Sequence, residues 1–395
     1  YNHCLYIKEE AGKLLVGIFE PNAKPAFMKT NRVPDDFSFG EFPEDFEHFE
    51  PYLMHAIKRI PILEQTGIRK FFSGPESFTP DTNYLLGEAP EVKNFFVCCG
   101  FNSIGLVSAG GAGKVTAEWM MNGGANEDLF SLDITRFEKF HSETKFITER
   151  VTETLGNLYA MHWPFKQLLT SRNQKLLPYH DELKIKGACF GQSGGFERPM
   201  WYALNGKKPE YEYSYEYQNW YHSAKYETMH ARKDVAFFEL TPFSKFELEG
   251  EKAHLSLQYL CANNISDVPG KTTYTQMLNQ YGGIEADLTV TCINKNVYRV
   301  ISGSAVRTHD KHHILSHLDK SISFSDITDD YACFGIFGPK SRNLLQELMG
   351  NEFESSSFPF GSGKFLELNG VSIWFQRLSY VGELGWELYL SLIHI

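Results

Sequence analysis

Two carboxylates in the C-terminal half stand where acid–base or binding chemistry could take place. Asp287 follows the glycine turn Gly282-Gly283 and precedes the apolar residues of a predicted strand. A carboxylate in that position could stabilise a cation or transfer a proton. Glu387 ends the segment Gly382-Glu-Leu-Gly-Trp-Glu387, after a second glycine turn. Carboxylates are common in turns, so these two patterns alone leave a purely structural role open.

A glycine-rich segment, Ser108-Ala-Gly-Gly-Ala-Gly-Lys-Val115, approaches the phosphate-binding loop pattern but departs from it at both ends. Ser108 replaces the first glycine, and Val115 replaces the serine or threonine that binds magnesium, which argues against nucleotide triphosphate hydrolysis. A helix is predicted to begin near Gly111, and the free N–H groups of its first turn could stabilise an anionic group such as a reduced flavin ring. Close packing of the helix on a sheet through glycine is the alternative interpretation.

Four histidines cluster at His309, His312, His313 and His317 and include two pairs four residues apart. One helical face could therefore chelate a metal. The segment has no His-Glu-x-x-His pattern and no nearby set of cysteine and carboxylate ligands. We predict exposed surface histidines and no metal site.

The composition bounds the class of protein. The 395 residues, 42% hydrophobic and 22% charged, are typical of a globular protein with two or three domains. The formal net charge of −11 disfavours nucleic acid as a partner. No apolar run approaches the ~20 residues that span a bilayer, which disfavours membrane insertion. The odd count of seven cysteines, with Cys98 and Cys99 adjacent, indicates reduced thiols.

Hydrophobic periodicity predicts the elements that must position these groups. An irregular connector is expected around residues 133–202, and a surface strand or loop at 209–222, where acids and tyrosines alternate. The chain after Asp234 is expected to be mixed α and β. The predicted elements are a hairpin (Leu5–Glu9 and Lys13–Glu20), a helix from Phe46 to about Ile60, a buried strand Phe95–Cys99 followed by glycine turns and a helix Lys114–Met121, strands Phe243–Leu248 and Leu288–Cys292, and helices Glu251–Leu260 and Pro339–Met349.

Several segments, taken in order, carry the motifs of one known family. They are Gly74–Asp81, Gly87–Glu91 and Cys99–Ser103, then Gly195–Pro199, and finally Tyr274–Asn279, Gly282–Val290 and Leu378–Leu388. Together they resemble the mitochondrial flavin-dependent sarcosine and dimethylglycine dehydrogenases. The last three resemble the folate-binding domain shared with the glycine-cleavage aminomethyltransferase. Phe37–Gly40, Gly74–Asp81 and Gly283–Val290 favour the sarcosine dehydrogenase branch.

The resemblance implies a multidomain fold of the α+β and α/β classes. It implies the C-terminal part of an FAD-dependent amine-oxidase domain over residues 1–130, a connector domain over 131–205 and an aminomethyltransferase-like folate-binding domain over 206–395. The Gly-x-Gly-x-x-Gly fingerprint for the FAD pyrophosphate is absent, and the similarity is expected to stop at Leu388. We therefore expect an internal fragment of a longer enzyme that does not hold FAD by itself.

The function implied by the resemblance is oxidative demethylation of sarcosine to glycine by FAD. The one-carbon unit would pass to tetrahydrofolate, and the electrons to an electron-transfer flavoprotein in the mitochondrial matrix. Two alternatives stay open. Dimethylglycine dehydrogenase differs in the amine pocket, and a non-catalytic relative similar to the regulatory subunit of pyruvate dehydrogenase phosphatase acts by binding a partner.

Individual positions take expected roles from the same resemblance. Asp287 matches the catalytic aspartate of the aminomethyltransferase motif, and Glu387 matches the glutamate that accepts N–H bonds from the pteridine. Tyr6 matches a substrate-facing tyrosine, although Lys8 stands where the family has arginine. The positions expected to contact FAD are Asn102, Ser103, Gly105, Gly110 and Gly111.

Overall fold

The computed structural model of the chain describes residues 4–394, and their contacts divide into one unit that ends at Ser171 and another that begins at Arg172. Over this described range, none of the helices is both long and apolar enough to cross a membrane. In the first unit, strand β1 (Leu5–Glu10) pairs antiparallel with β2 (Lys13–Ile18), which confirms the predicted hairpin. Its other elements are α1 (Phe46–Arg59), β3 (Leu85–Glu88), β4 (Phe96–Cys99), α2 (Gly105–Asn122) and α3 (Thr144–Leu158).

Two expectations about the glycine-rich region are wrong. Strand β4 is present, but Cys98 and Cys99 within it are exposed rather than buried. Helix α2 begins at Gly105 rather than near Gly111. The turn before it is made by Asn102 and Ser103, whose positive φ values of 49° and 65° are unusual for residues with a side chain. Asparagine tolerates this conformation because its short side chain can hydrogen-bond to nearby backbone.

The second unit begins with elements that the sequence analysis assigned to an irregular connector. These are α4 (His180–Ile185) and the antiparallel hairpin of β5 (Ala188–Ser193) and β6 (Phe196–Tyr202). Residues 209–220 form a loop, as one of the two predicted alternatives, until α5 (Tyr221–Ala231) begins. The sequence analysis missed α4, β5 and β6 because each has only six or seven residues. It also missed α3, which has fifteen.

Two five-stranded antiparallel sheets make up the rest of the second unit. The predicted strands and helices after Asp234 are all present. The elements are β7 (Ala236–Glu239), β8 (Ser244–Glu249), α6 (Ala253–Leu260), β9 (Thr272–Leu278), β10 (Ile284–Asn294), β11 (Val297–Ser302), α7 (Arg307–His317), β12 (Ser323–Asp326), β13 (Tyr331–Phe337), α8 (Ser341–Met349), β14 (Gly363–Leu368), β15 (Val371–Gln376) and β16 (Gly385–Ser391). The strand order is β12-β8-β11-β10-β9 in the first sheet and β14-β15-β16-β13-β7 in the second.

Strand β16 continues beyond the residue at which the family similarity was expected to stop. Tyr389, Leu390 and Ser391 pair with β13 in the same register as the residues before them. Tyr389 is also buried in a cluster with Trp374 of β15. The expectation that the chain leaves this domain after Leu388 is therefore wrong.

Strand alternation sorts the side chains of both sheets into apolar and polar faces. In the first sheet, one face carries Phe246 and Leu288 into a core shared with α6 and α7. In the second sheet, one face carries Phe375 and Trp386 into a core shared with α8. The remaining faces meet each other, and they bury many polar side chains. Among them are Lys245, Thr291, Arg299, Gln376 and Glu387.

Replacing Leu257 by alanine tests the core between α6 and the first sheet. Leu257 is fully buried there, whereas Leu255 on the same helix is 68% exposed. We expect Leu257→Ala to lower the free energy of unfolding by about 2–5 kcal/mol, because it removes buried methyl groups and leaves a cavity. The matched change Leu255→Ala should cost less than about 0.5 kcal/mol. Urea titration followed by circular dichroism measures both, and equal effects would contradict this packing.

Candidate functional site

Asp287 lies on β10 at the exposed edge of the layer between the two sheets. Its neighbours Ala286 and Leu288 point into the helix-side core, so the carboxylate faces the other way. Gln276 stands directly opposite on β9 and donates from Nε2 to Asp287 Oδ1 over 3.0 Å. A hydrogen bond to Asp287 also raises the pKa of Tyr274.

Sequence reasoning found Asp287 but not these two partners. Tyr274 and Gln276 are two residues apart on one strand, which puts both on the same face of the sheet. That spacing, in a strand adjacent to the one with the carboxylate, is the signal that could have identified them.

Glu387 lies deeper in the same layer, on β16. Trp386 and Leu388 on either side pack toward α8, so the glutamate faces the first sheet. It is 2% exposed, and the Tyr389 hydroxyl, which donates to Oε2 over 2.7 Å, is its one hydrogen-bond partner in the described part of the chain. Burial raises the pKa of Glu387 to about 7, against the opposing effect of the Tyr389 hydrogen bond. Near neutral pH, a ligand that offers N–H groups would favour the ionised carboxylate.

Tyr380 is affected by the charges of both Asp287 and Glu387. It lies in the loop from β15 to β16, the residue as a whole is 57% exposed, and its ring stacks on Phe243 with the ring centroids 6.2 Å apart. Desolvation of its hydroxyl, together with the negative charges of Glu387 and Asp287, raises the pKa of Tyr380 to about 12. Both predicted carboxylates therefore act electrostatically on the same tyrosine, and the structure brings them into one site. The sequence analysis gave Tyr380 no role.

A buried lysine anchors the segment that supports Tyr380. Lys245 is fully buried, and its Nζ donates to the carbonyl oxygens of Thr241 over 2.8 Å and Phe243 over 2.9 Å. Loss of solvation lowers the pKa of Lys245 to about 8. The backbone carbonyls thus hold the ammonium, and the ammonium fixes the position of the residue on which Tyr380 packs.

The predicted flavin-contact residues occupy the turn before α2 and its first two turns. Asn102 is buried, accepts from Thr79 N over 2.9 Å and donates to Gly100 O over 2.6 Å, so it fixes the turn. Gly105 begins the helix, whose first N–H groups have no partners within it. An added Cβ on Gly110 or Gly111 would meet only open space.

These features fit one edge of a flavin ring. Unpaired helix N–H groups favour negative charge, and the glycines leave one stretch of the helix surface free of side chains. Gly110 and Gly111 lie inside the helix rather than at its start, so any contact they make comes from their small size and not from free N–H groups. The sequence contains no phosphate fingerprint, so the described residues supply only the ring side of such a site.

Tyr6 and Ser103 meet at a carboxylate that sequence reasoning did not single out. Burial and the negative charge of Glu76 raise the pKa of Tyr6. The Ser103 hydroxyl donates a hydrogen bond to the same Glu76. Glu76 lies in the Gly74–Asp81 motif, and its juxtaposition with Tyr6 depends on the fold of this unit rather than on local spacing.

Three of the four histidines are partly buried, contrary to expectation, whereas His317 is exposed as predicted. His309 Nε2 lies 3.2 Å from Glu285 Oε2, and its Nδ1 lies 3.1 Å from Oδ1 of the buried Asp310. Burial lowers the pKa of His313 to about 4. The expectation fails because α7 packs this side against the first sheet. Among the residues that the structure describes, no three potential ligands are grouped to hold a metal.

The substitution Glu387→Gln tests the protonation state of the buried carboxylate. The pKa of Glu387 is about 7 in the folded chain, against 4.5 for a free glutamate. The protonated carboxyl therefore stabilises the fold fully below pH 4.5, and this contribution is lost as the pH rises through 7. The loss amounts to about 3 kcal/mol. Glutamine does not titrate, so the variant should lose less stability than the parent chain between about pH 5 and about pH 8. Thermal unfolding at both pH values measures this, and an unchanged pH dependence would contradict the assignment.

Three domain families match the chain in succession. FAD dependent oxidoreductase matches residues 1–119, its central domain matches 122–176, and the GCVT N-terminal domain matches 179–394. This order confirms the fold class expected from the sequence. The third match contains Asp287, Tyr380 and Glu387.

Known proteins are similar over nearly all of the chain. The 4-methylaminobutanoate oxidase (formaldehyde-forming) of Paenarthrobacter nicotinovorans is 38% identical, over 99% of this chain and 47% of that protein. Human mitochondrial sarcosine dehydrogenase is 35% identical, over 99% and 46%. The mouse mitochondrial regulatory subunit of pyruvate dehydrogenase phosphatase is 32% identical, over 98% and 45%. The chain therefore spans about half the length of these curated relatives.

Proposed function

The chain belongs to the family of the GCVT N-terminal domain, joined here to FAD-dependent oxidoreductase domains, and on this premise we propose that the complete protein demethylates a small N-methylamino acid and transfers the carbon to tetrahydrofolate. One observation carries the proposal. Exposed Asp287 and buried Glu387 lie in one site between two sheets, where both influence Tyr380. The site thus combines an accessible acid suited to chemistry with an enclosed acid suited to recognition.

Recognition of tetrahydrofolate is assigned to Glu387. A pteridine edge carries adjacent N–H groups, and a carboxylate can accept two of them. Among the described residues Glu387 has a single donor, the Tyr389 hydroxyl, so N–H groups from a ligand would offset the cost of its burial. Tyr380, which is influenced by the charge of Glu387, would pack against the ring.

Transfer of the carbon is assigned to Asp287. Oxidation of an N-methylamine leaves a cationic iminium, and a carboxylate held by Gln276 would stabilise that charge. The same carboxylate could accept the proton that the folate nitrogen loses when it attacks the carbon. Its exposure at the mouth of the site suits contact with a small substrate.

Sarcosine is the substrate proposed from the sequence motifs, and the human sarcosine dehydrogenase relative supports it. The bacterial relative is named for 4-methylaminobutanoate, also an N-methylamino acid, so a longer carbon chain is the alternative. The Tyr6 hydroxyl would donate to the substrate carboxylate. The nearby negative charge of Glu76 would favour the amine end.

When bound, FAD supplies the two-electron oxidation of the N-methyl group. The turn fixed by Asn102 and the first turn of α2 would contact the flavin ring. An electron-transfer flavoprotein is proposed as electron acceptor from the resemblance to the dehydrogenases. The mitochondrial matrix is proposed as the compartment because the human and mouse relatives are mitochondrial, although another relative is bacterial.

Asp287→Asn in the complete enzyme separates the two half-reactions. We expect flavin reduction by sarcosine to be unchanged, because Asp287 belongs to the folate-binding domain. The yield of methylene-tetrahydrofolate should fall at least about 10-fold, with free formaldehyde rising in its place as water hydrolyses the iminium. Glu249→Gln, an exposed carboxylate elsewhere on the first sheet, is the control. Equal methylene-tetrahydrofolate yields from all three proteins would remove Asp287 from the reaction.

Anaerobic addition of amine to the complete protein tests the proposed function as a whole. Bleaching of the visible flavin band by sarcosine, more than by dimethylglycine or 4-methylaminobutanoate, is the expected result. Preferential bleaching by one of the other two would keep the reaction class and change the substrate. A colourless protein unaffected by all three amines would contradict the proposal and favour a partner-binding role like that of the phosphatase regulatory subunit.

A further inference from the structure

Gln376 presents a buried amide to which the proposed function assigns no role. It is the last residue of β15, is 1% exposed, and stands directly opposite Glu387 in the pairing of β15 with β16. Directly opposed residues on antiparallel strands have Cβ atoms about 5 Å apart on the same face. The amide and the buried carboxylate therefore lie side by side between the sheets.

Two donors determine which way the amide points. Trp374 Nε1 and Thr291 Oγ1 each lie 3.1 Å from Gln376 Oε1. An indole N–H can only donate, so the atom that faces Trp374 must be the amide oxygen. The indole is itself held over Gly363, where an added Cβ would lie 2.4 Å from the ring.

The nitrogen of this oriented amide is left without an acceptor. Gln376 Nε2 is shielded from water and makes no hydrogen bond to any residue that the structure describes. Buried donors are nearly always paired, because an unpaired one loses its interaction with water and gains nothing in return. A carbonyl oxygen of a ligand would supply the missing acceptor.

We propose that Gln376 and Glu387 together recognise one edge of the folate ring. Glu387 accepts the ring N–H groups, and Gln376 Nε2 donates to the neighbouring ring carbonyl. An acceptor beside a donor matches an edge in which N–H and C=O are adjacent. It does not match a diamino edge, where an amino group replaces the carbonyl and faces the Gln376 donor. Gln376 is thus a specificity-determining residue for oxo-pteridines, an inference that rests on the proposed folate function.

A ligand can reach this pair only after a side chain has moved. Gln376 and Glu387 are almost fully enclosed, so a ring edge reaches them only by displacing a side chain that covers them. Tyr380 is the side chain that we expect to move, because it lies in the loop that joins β15 and β16 and is 57% exposed.

The test compares two ligands that differ at one position of the ring edge, where an amino group replaces the carbonyl and the adjacent ring nitrogen loses its hydrogen. Tetrahydrofolate and tetrahydroaminopterin, kept reduced, are titrated by calorimetry into the complete protein and into Gln376→Met, which preserves size but removes the amide. The parent protein should bind tetrahydrofolate at least about 10-fold more tightly than the amino analogue. Gln376→Met should weaken tetrahydrofolate binding by about 10- to 100-fold and leave the amino analogue unchanged or tighter.

Structural damage by the substitution would weaken both ligands equally. In that case Trp374→Phe, which removes the indole donor that orients Gln376 and keeps an aromatic ring in the buried cluster, decides the question. It should shift the ratio of the two affinities by less than Gln376→Met does and in the same direction. If the ratio of the two affinities is unchanged in Trp374→Phe, the inference is overturned. It is also overturned if Gln376→Met keeps both affinities of the parent protein. In either case the proposed folate binding stands. A parent protein that binds neither ligand would instead overturn the proposed function, and the inference with it.

Discussion

Glu387 is held between two β-sheets, and within residues 4–394 one hydrogen bond, from Tyr389, replaces the water that its carboxylate loses. Such burial is costly unless a partner stabilises the charge, and here it raises the pKa of Glu387 to about 7. The fold creates this situation through strand alternation. The apolar faces of both sheets are covered by helices, and the polar faces meet each other through contacts such as the hydrogen bond from Thr291 to Gln376.

The consequence is a layer of polar side chains that are exposed at the edge and buried further in. At the edge, Asp287 is exposed and held by Gln276, which suits a group that must meet a substrate and exchange a proton. Inside, Glu387 and Gln376 are enclosed and fixed by neighbours, which suits recognition. The charges of both acids affect Tyr380, which stacks on Phe243. The backbone carbonyl of Phe243 accepts a hydrogen bond from the buried ammonium of Lys245.

Local patterns in the sequence predicted the elements that depend on residues close together in the chain. The β1–β2 hairpin follows from alternation, and α1 follows from helical spacing of apolar residues and a side-chain cap at Asp45. Asp287 and Glu387 were found through short motifs. The start of α2 was misplaced because the turn before it uses Asn102 and Ser103 at positive φ, where glycine was expected.

Contacts set by tertiary packing were beyond the reach of local patterns. The orientation of Gln376 depends on Thr291, which lies 85 residues away on the facing sheet. The partners of His309 likewise depend on how α7 packs against β10. The motifs favoured the sarcosine dehydrogenase branch, but the bacterial 4-methylaminobutanoate oxidase is 38% identical to the chain, against 35% for human sarcosine dehydrogenase.

Proton release on folate binding tests the role of Glu387 most directly. Calorimetry of tetrahydrofolate binding to the complete protein near pH 7, repeated in buffers of different ionisation enthalpy, counts the protons exchanged. With the pKa of Glu387 at about 7 in the free protein, binding to the ionised carboxylate should release about half a proton per folate, and Glu387→Gln should release none from this position. Tight binding with no difference in proton release between the two proteins would contradict the assignment of Glu387 as the buried acceptor.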